Sequence, residues 1–167
     1  MRAEEATALN NLGTVFLQQG DPRRAITWLR QAVAIKEELR RTAPQAARRE
    51  FLGAWISSYR WLLDAYRAAG DAAAVLEAAE MVKARTLAEQ MRARGPGGSA
   101  DAGAVPPAAS LQRALGPRAA ILSFANVSWT APSVVCVTRR AVTCRLLGPE
   151  SPEPGAGQAE LPVLPLE

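Results

Sequence analysis

The chain has 167 residues, enough for one domain or for a small domain with part of another. It is 49% hydrophobic and 22% charged, an ordinary composition for a globular protein. The sequence has no run of about 18 apolar residues, so no membrane-spanning helix is predicted. The N-terminus also lacks the apolar core of a signal peptide, so we expect a cytoplasmic protein without a membrane partner.

The net charge of +4 comes mainly from arginine, since only Lys36 and Lys83 among the 20 basic residues are lysine. This bias, with much Ala, Gly and Pro, is typical of a GC-rich, bacterial coding sequence. The sequence contains no histidine and only two cysteines, too few for a disulfide scaffold or a zinc site.

The first predicted elements are two helices joined by a tight turn. Apolar residues recur at helical spacing from Glu4 to Gln19. Gly20 then suits the left-handed position that ends a helix, and Asp21 and Pro22 suit the N-cap and first turn of the next one. The second amphipathic helix runs to about Arg41.

The same order returns further along the chain. A third helix is predicted over residues 45–69, followed by Gly70-Asp71 and a fourth helix over residues 72–92. Gly20 and Gly70 lie 50 residues apart. Aligning them matches Leu9 with Tyr59, Leu12 with Leu62, Phe16 with Tyr66, Ala25 with Val75, Leu29 with Ala79, and Ala32 with Val82. An internal repeat of paired helices indicates a helical solenoid.

The first pair of helices resembles the tetratricopeptide repeat (TPR) family, whose pattern of large and small residues is matched by Leu9, Leu12, Gly13, Phe16, Gly20, Ala25, Leu29 and Ala32. The resemblance implies that Gly13 lies where two helices approach closely, facing Ala25, with Leu12 and Phe16 packed against Leu29. In the second unit Leu63 takes the place of Gly13, and the repeat exceeds the usual period of about 34 residues.

Beyond the helices the composition changes. Gly, Pro, Ser and Ala dominate residues 93–109, which predicts a flexible linker. A short amphipathic helix then ends at Gly116-Pro117. Two or three β-like runs follow, within Ala119–Val127, Ser133–Thr138 and Val142–Leu147. We expect the last two to form a hairpin closed by two or three residues around Arg139-Arg140. The proline-rich residues 149–167 are predicted to be disordered.

The β-like segment resembles the start of the CHAT family, caspase-like domains associated with TPR arrays. The matching positions are Leu111, Leu115, Ala120, Leu122, Phe124, Val135, Val137, Thr138 and Leu146-Leu147-Gly148. They cover about the first 40 residues of a domain that needs a few hundred. CHAT peptidases use a His–Cys dyad from the later part of that domain, so the resemblance assigns no catalytic residue to this chain.

The sequence offers little support for catalysis, nucleic-acid binding or a cofactor or metal site. Cys136 and Cys144 lack a histidine base, so we interpret them as small hydrophobic residues on strands. A three-residue hairpin loop would instead bring them face to face and permit a disulfide. Acidic residues among the basic pairs argue against a nucleic-acid partner. Carboxylates on the helices fit solvated ion pairs, and no phosphate-binding loop, cofactor site or metal site is predicted.

The remaining candidate site is the inner face of the first helix of each pair. The TPR resemblance places six groove residues there: Asn10, Thr14, Gln18, Arg60, Asp64 and Arg67. Amide and guanidinium groups can bind the backbone and carboxylates of an extended peptide. The alternative is an ordinary solvated face carrying an Arg60–Asp64–Arg67 network within one helix.

We therefore predict a mainly α fold. Antiparallel TPR-like hairpins over residues 1–92, an α-solenoid fragment, are followed by an α/β segment with a β-hairpin over residues 110–148. The predicted function is a protein-interaction module that binds a protein or peptide, has no enzymatic activity of its own and belongs to a longer CHAT protein. One alternative is a non-catalytic fragment of a caspase-like cysteine peptidase whose dyad lies beyond residue 167, and another is a purely structural segment.

Overall fold

The computed structural model describes residues 1–43, 48–93, 105–125 and 131–147. In these ranges the elements are helices α1 Arg2–Gln18, α2 Pro22–Thr42, α3 Arg48–Ala68, α4 Ala72–Ala93 and α5 Ala108–Ala114, and strands β1 Ala120–Ala125, β2 Ser133–Thr138 and β3 Val142–Leu146. The predicted fold class, helical hairpins followed by a small α/β segment, is confirmed. Most of the predicted linker and the whole predicted tail lie outside the described residues.

The turn between α1 and α2 forms as its residues predict. Gly20 has a φ of 76°, a left-handed conformation that favours glycine. Its N–H donates to the Leu17 carbonyl (3.1 Å), and the N–H of Asp21 donates to the Phe16 carbonyl (2.9 Å). The Asp21 carboxylate then accepts from the Arg24 N–H at 3.0 Å and caps α2. The ends of both helices are therefore satisfied locally.

The turn between α3 and α4 repeats this structure. Gly70 has a φ of 73°, and its N–H donates to the Arg67 carbonyl at 2.9 Å. The N–H of Asp71 donates to the Tyr66 carbonyl at 2.9 Å, and its carboxylate accepts from the Ala74 N–H at 3.0 Å. The two hairpins are thus built around one turn used twice.

The close approach of α1 and α2 occurs at Gly13, as predicted. A Cβ there would lie 2.5 Å from Cγ of Leu29 and 3.3 Å from the Ala25 carbonyl oxygen. The expected packing of Leu12 is wrong, because Leu12 is 38% exposed. Successive side chains of a helix point about 100° apart, so Leu12 does not share the direction in which Gly13 meets α2. Phe16, one turn later, does pack against the cluster that contains Leu29.

Two buried clusters hold the elements together. The first joins the α1–α2 hairpin to α3 through Ala25, Leu29, Leu62 and Ala65. The second joins α3 and α4 to α5 and the sheet through Leu63, Val75, Leu76, Ala78, Ala79, Ala108, Ala125, Val135 and Val137. Tyr66 packs against both clusters. The helices and the sheet therefore share a continuous apolar interior.

The sheet is an antiparallel meander in the order β1-β2-β3. The Thr138 N–H donates to the Ala141 carbonyl at 2.9 Å, which leaves Arg139 and Arg140 as a two-residue turn. This confirms the shorter of the two predicted loops.

The register of the hairpin separates the two cysteines. Cys136 pairs with Thr143, whereas Cys144 pairs with Val135. Because neighbouring residues of a strand point to opposite faces, Cys136 and Cys144 lie on different faces of the sheet. The disulfide alternative is therefore wrong, and both thiols are free and half-buried.

Candidate functional site

The first half of the predicted groove lies on α1. Asn10 and Thr14 are half-buried, and Gln18 is exposed one turn further on. The Thr14 hydroxyl donates to the Asn10 carbonyl at 2.9 Å, which orients it along the helix. The three side chains lie four residues apart and so share one face of α1.

Asn10 is held by a chain of hydrogen bonds that crosses three helices. Lys36 of α2 donates from Nζ to Ser58 Oγ of α3 at 2.6 Å, and the Ser58 hydroxyl donates to Asn10 Oδ1 at 2.7 Å. Ser58 is fully buried, and burial lowers the pKa of Lys36. With Oδ1 engaged as an acceptor, the amide Nδ2 group is the donor that Asn10 brings to a ligand.

Sequence reasoning missed Lys36 and Ser58. On an amphipathic helix, a lysine next to Ile35 is expected to place its ammonium group in solvent while its alkyl stem covers apolar surface. Serine inside a helix usually bonds to its own backbone, which also hides a tertiary role. The only available signal was a small polar residue beside the apolar core positions of α3.

The second half of the predicted groove has a different environment. Asp64 is only 3% exposed and accepts from Arg67 Nη2 at 3.3 Å. Arg67 also lies close enough to Cys144 of β3 for its charge to act on that thiol. Arg67 therefore lies near β3, and Asp64 is buried beside it, whereas Arg60 is half-buried earlier on α3. The ion pair is part of the intrahelical network considered as the alternative to a groove.

A second polar contact, also missed from sequence, lies between α2 and α3. The Tyr59 hydroxyl donates to Glu37 Oε1 at 3.1 Å, and Arg40 Nη2 contacts Glu37 Oε2 at 3.1 Å. Arg40 and Glu37 are almost buried, so this pair is shielded from bulk water. Charge-assisted bonds of this kind orient α2 on α3 and so orient the surface beside Asn10.

The junction between α4 and the sheet carries a third polar cluster. Lys83 Nζ lies 2.7 Å from Glu80 Oε1 and 2.9 Å from Ser123 Oγ of β1, and the Ser123 hydroxyl donates to the same Glu80 oxygen at 2.6 Å. Burial opposes ionisation of Glu80, but the bonds from Lys83 and Ser123 and the lysine charge together lower its pKa. The cluster ties β1 to α4.

The α4 helix also positions α5. Glu77 Oε1 accepts from the Ala108 N–H at 3.1 Å, so a side chain of α4 satisfies the start of α5. Gln112 of α5 in turn donates to the Thr138 carbonyl of β2 at 3.2 Å. Polar bonds and the apolar cluster therefore both link α4 to the α/β segment.

The arrangement offers hydrogen-bond donors and acceptors rather than an activated nucleophile. Burial raises the pKa of the Cys144 thiol, which keeps it protonated, although a bond with Ser133 and the Arg67 charge act in the opposite direction. Among the described residues, no group of three His, Cys, Asp or Glu side chains is placed to hold a metal ion. Within the same ranges, no helix is long and apolar enough to cross a membrane.

Comparison with known proteins bears on the first hairpin. Residues 2–38 match the family described as tetratricopeptide repeat. The match covers α1 and most of α2, including Gly13, Gly20 and the Asn10–Thr14–Gln18 face. Searches of the curated proteins and of the solved structures gave no significant match. A tetratricopeptide repeat suggests a protein-interaction scaffold.

Proposed function

We propose that this chain is an interaction scaffold that binds an extended peptide segment along α1. The observation that carries the proposal is the hydrogen-bonding face of Asn10, Thr14 and Gln18 on a hairpin that matches the tetratricopeptide repeat. The Asn10 amide, fixed through Ser58, is pre-organised to bind the backbone of an extended chain. Arg60 on α3 adds a cation for a carboxylate of that peptide.

The proposal extends to the architecture around the repeat. We infer that the helices lead into the opening of a CHAT-like domain over residues 110–148. The order of α5, β1 and the β2–β3 hairpin supports this assignment, because it follows the order that the resemblance implies. Leu111 and Leu115, two of the matching positions, pack against the cluster shared with α4.

The chain by itself is proposed to have no enzymatic activity. A cysteine peptidase needs a base for its nucleophile, and the sequence contains no histidine. Incubation with unfolded protein substrates should give no cleavage. Turnover that disappears in Cys136→Ser or Cys144→Ser would contradict this part of the proposal.

Binding is tested with a library of extended peptides selected against the full chain. Thr14→Arg fills the proposed site, and Thr27→Arg is its matched control on α2. Both threonines bond to the carbonyl four residues before them, at 2.9 and 3.2 Å. We expect Thr14→Arg to weaken binding of selected peptides at least about tenfold, or about 1.4 kcal/mol, and Thr27→Arg to leave it unchanged. Failure to select any peptide, or equal binding by both variants, would overturn the proposal.

A further inference from the structure

The face of the sheet that points away from the helices carries an apolar patch. The strand register places Leu122 beside Cys136 and Phe124 beside Val134 on this outer face. Leu122 is 59% exposed and Phe124 is 57% exposed. Scattered exposed hydrophobic residues are ordinary, but these side chains are neighbours on two adjacent strands. We call Leu122, Phe124, Val134 and Cys136 the outer patch.

The surroundings of the outer patch are basic. From residue 105 to residue 147 the sequence has five arginines and no acidic residue. Arg145 lies opposite Val134 in the register, so it borders the patch on its own face. Arg139 and Arg140 form the turn at one end of the sheet. The patch therefore favours an occupant that is both apolar and acidic.

The chain itself contains a segment with this chemistry, directly after the sheet. Residues 148–167 contain four glutamates and no basic residue. Their last eight residues read ELPVLPLE, in which Leu161, Val163, Leu164 and Leu166 are apolar. The charge of this segment is thus opposite to that of the α/β segment it follows.

The connecting chain is long enough to return to the patch. The 13 residues 148–160 span up to about 43 Å when extended, whereas three adjacent strands are only about 10 Å across. The strand before this segment, β3, lies next to β2, which carries half of the outer patch. Residues 148–160 are therefore long enough to let the last eight residues contact the outer patch of the same molecule.

The prolines decide how such a segment binds. Alternate residues of an added strand must donate to the edge that it pairs with. Pro162 and Pro165 are three residues apart, so either choice of alternate residues includes one proline, which has no N–H. Proline-rich segments instead favour the polyproline II conformation, which binds apolar, aromatic surfaces without a hydrogen-bond ladder. Phe124 provides the aromatic surface.

We propose that residues 160–167 bind across the outer patch in an extended conformation. The leucines cover Leu122 and Phe124, and the glutamates face Arg145 and the arginine turn. The segment has only four apolar residues in eight, too few for a core of its own, so a folded surface is the partner that it needs. This inference is independent of the peptide site on α1, so Thr14→Arg leaves it unaffected.

The reactivity of Cys136 measures whether the outer patch is covered, because Cys136 belongs to that patch. In a Cys144→Ser background, the rate of alkylation of Cys136 by a bulky maleimide is measured by mass spectrometry on the full chain. Leu164→Asp with Leu166→Asp removes the apolar contacts. Ser151→Asp with Gln158→Asp is the matched control, since it adds the same charge to the same segment and keeps the leucines.

We expect the leucine variant to raise the alkylation rate about tenfold, as for a segment bound about nine-tenths of the time. The control should react like the parent chain, and high salt should raise the parent rate because it screens the charges. Rates that do not depend on protein concentration identify binding within one molecule. Equal rates in the leucine variant and the parent overturn the proposal, and a parent rate that falls with concentration replaces it by a contact between two copies.

Discussion

The two helical hairpins share a turn but differ in how their helices meet. Both turns place a glycine in the left-handed conformation, with φ values of 76° at Gly20 and 73° at Gly70. Both continue with an aspartate that caps the next helix. The hydrogen bonds of the two turns match to within about 0.2 Å. Local chemistry is therefore repeated closely at positions 50 residues apart.

The contacts between the helices are not repeated. In the first hairpin Gly13 lies against the large Leu29. At the equivalent positions of the second hairpin, Leu63 is large and Ala79 is small, and both are buried. The large residue is on the second helix of the first hairpin and on the first helix of the second hairpin. This exchange keeps the combined side-chain volume similar, although the two sequences no longer match at these positions. The comparison teaches that a turn is conserved by backbone geometry, whereas a packed contact is conserved by volume.

The hairpins also differ in what covers them. Leu29 belongs to the cluster between α2 and α3, whereas Leu63 belongs to the cluster that contains Val135 and Val137 of the sheet. We expect Leu29→Ala and Leu63→Ala each to reduce the free energy of unfolding by about 2–5 kcal/mol. Only Leu63→Ala should also speed amide hydrogen exchange of β2 relative to the α1 amides. Equal effects on β2 would show that the two clusters unfold as one unit.

The exchange of volumes can be tested by transferring it between hairpins. Gly13→Leu should reduce the free energy of unfolding by about 1–3 kcal/mol, because the new side chain overlaps Leu29. Adding Leu29→Ala reproduces the order of sizes found at Leu63 and Ala79. Denaturant unfolding of the double variant should show less destabilisation than the sum of the single variants, by about 0.5–3 kcal/mol. Simple additivity would contradict the exchange.

The shared turn predicts equal effects of one substitution in both places. Asp21→Ala and Asp71→Ala each remove a 3.0 Å bond to a helix N–H. Each should reduce the free energy of unfolding by about 1 kcal/mol. Thermal unfolding of the two variants measures the difference, and a difference above about 1 kcal/mol would show that tertiary context changes the cap.

The smallest expected effect concerns the junction that only the second hairpin makes. The pKa of Glu80 is lowered in the folded chain, so its contribution is present above the usual carboxyl pKa of 4.5 and is lost as the pH falls through the folded value. Because Glu80 and Lys83 remain partly exposed, the contribution should stay below about 1 kcal/mol.

Glu80→Gln provides the comparison for this effect. The stability of the parent chain should fall relative to the variant when the pH drops below about 4.5, as measured by urea unfolding at several pH values. If the free energy of unfolding varied with pH in the same way for the parent and the variant, the Glu80 carboxylate would make no contribution to the pH dependence. Glu38→Gln, at an exposed ion pair with Arg2, serves as the control.

Periodicity and turn chemistry predicted much of the fold. The Gly–Asp pairs located the ends of four helices, and the branched runs located β2 and β3. These signals are local, since capping and strand alternation depend on neighbouring residues. Leu12 was predicted to be in the core and is exposed, because the pattern of apolar residues does not say which side of a helix meets its partner.

The candidate site was predicted only in part. Asn10, Thr14 and Gln18 share the predicted face, and their role in peptide binding stays a prediction. The bonds of Asn10 to Ser58 and of Ser58 to Lys36 join residues 48 and 22 positions apart. No spacing rule reaches across such distances.

The sequence by itself determined the helices, the two Gly–Asp turns and the strands, since each depends on contacts within a few residues. Only the tertiary structure decided that Asp64 is buried, that Arg67 lies near β3, and that Cys136 and Cys144 lie on opposite faces of the sheet. It also decided that α4 is joined to β1 through Glu80, Lys83 and Ser123. These outcomes depend on register and on how preformed elements fill a shared interior, which local preference leaves open.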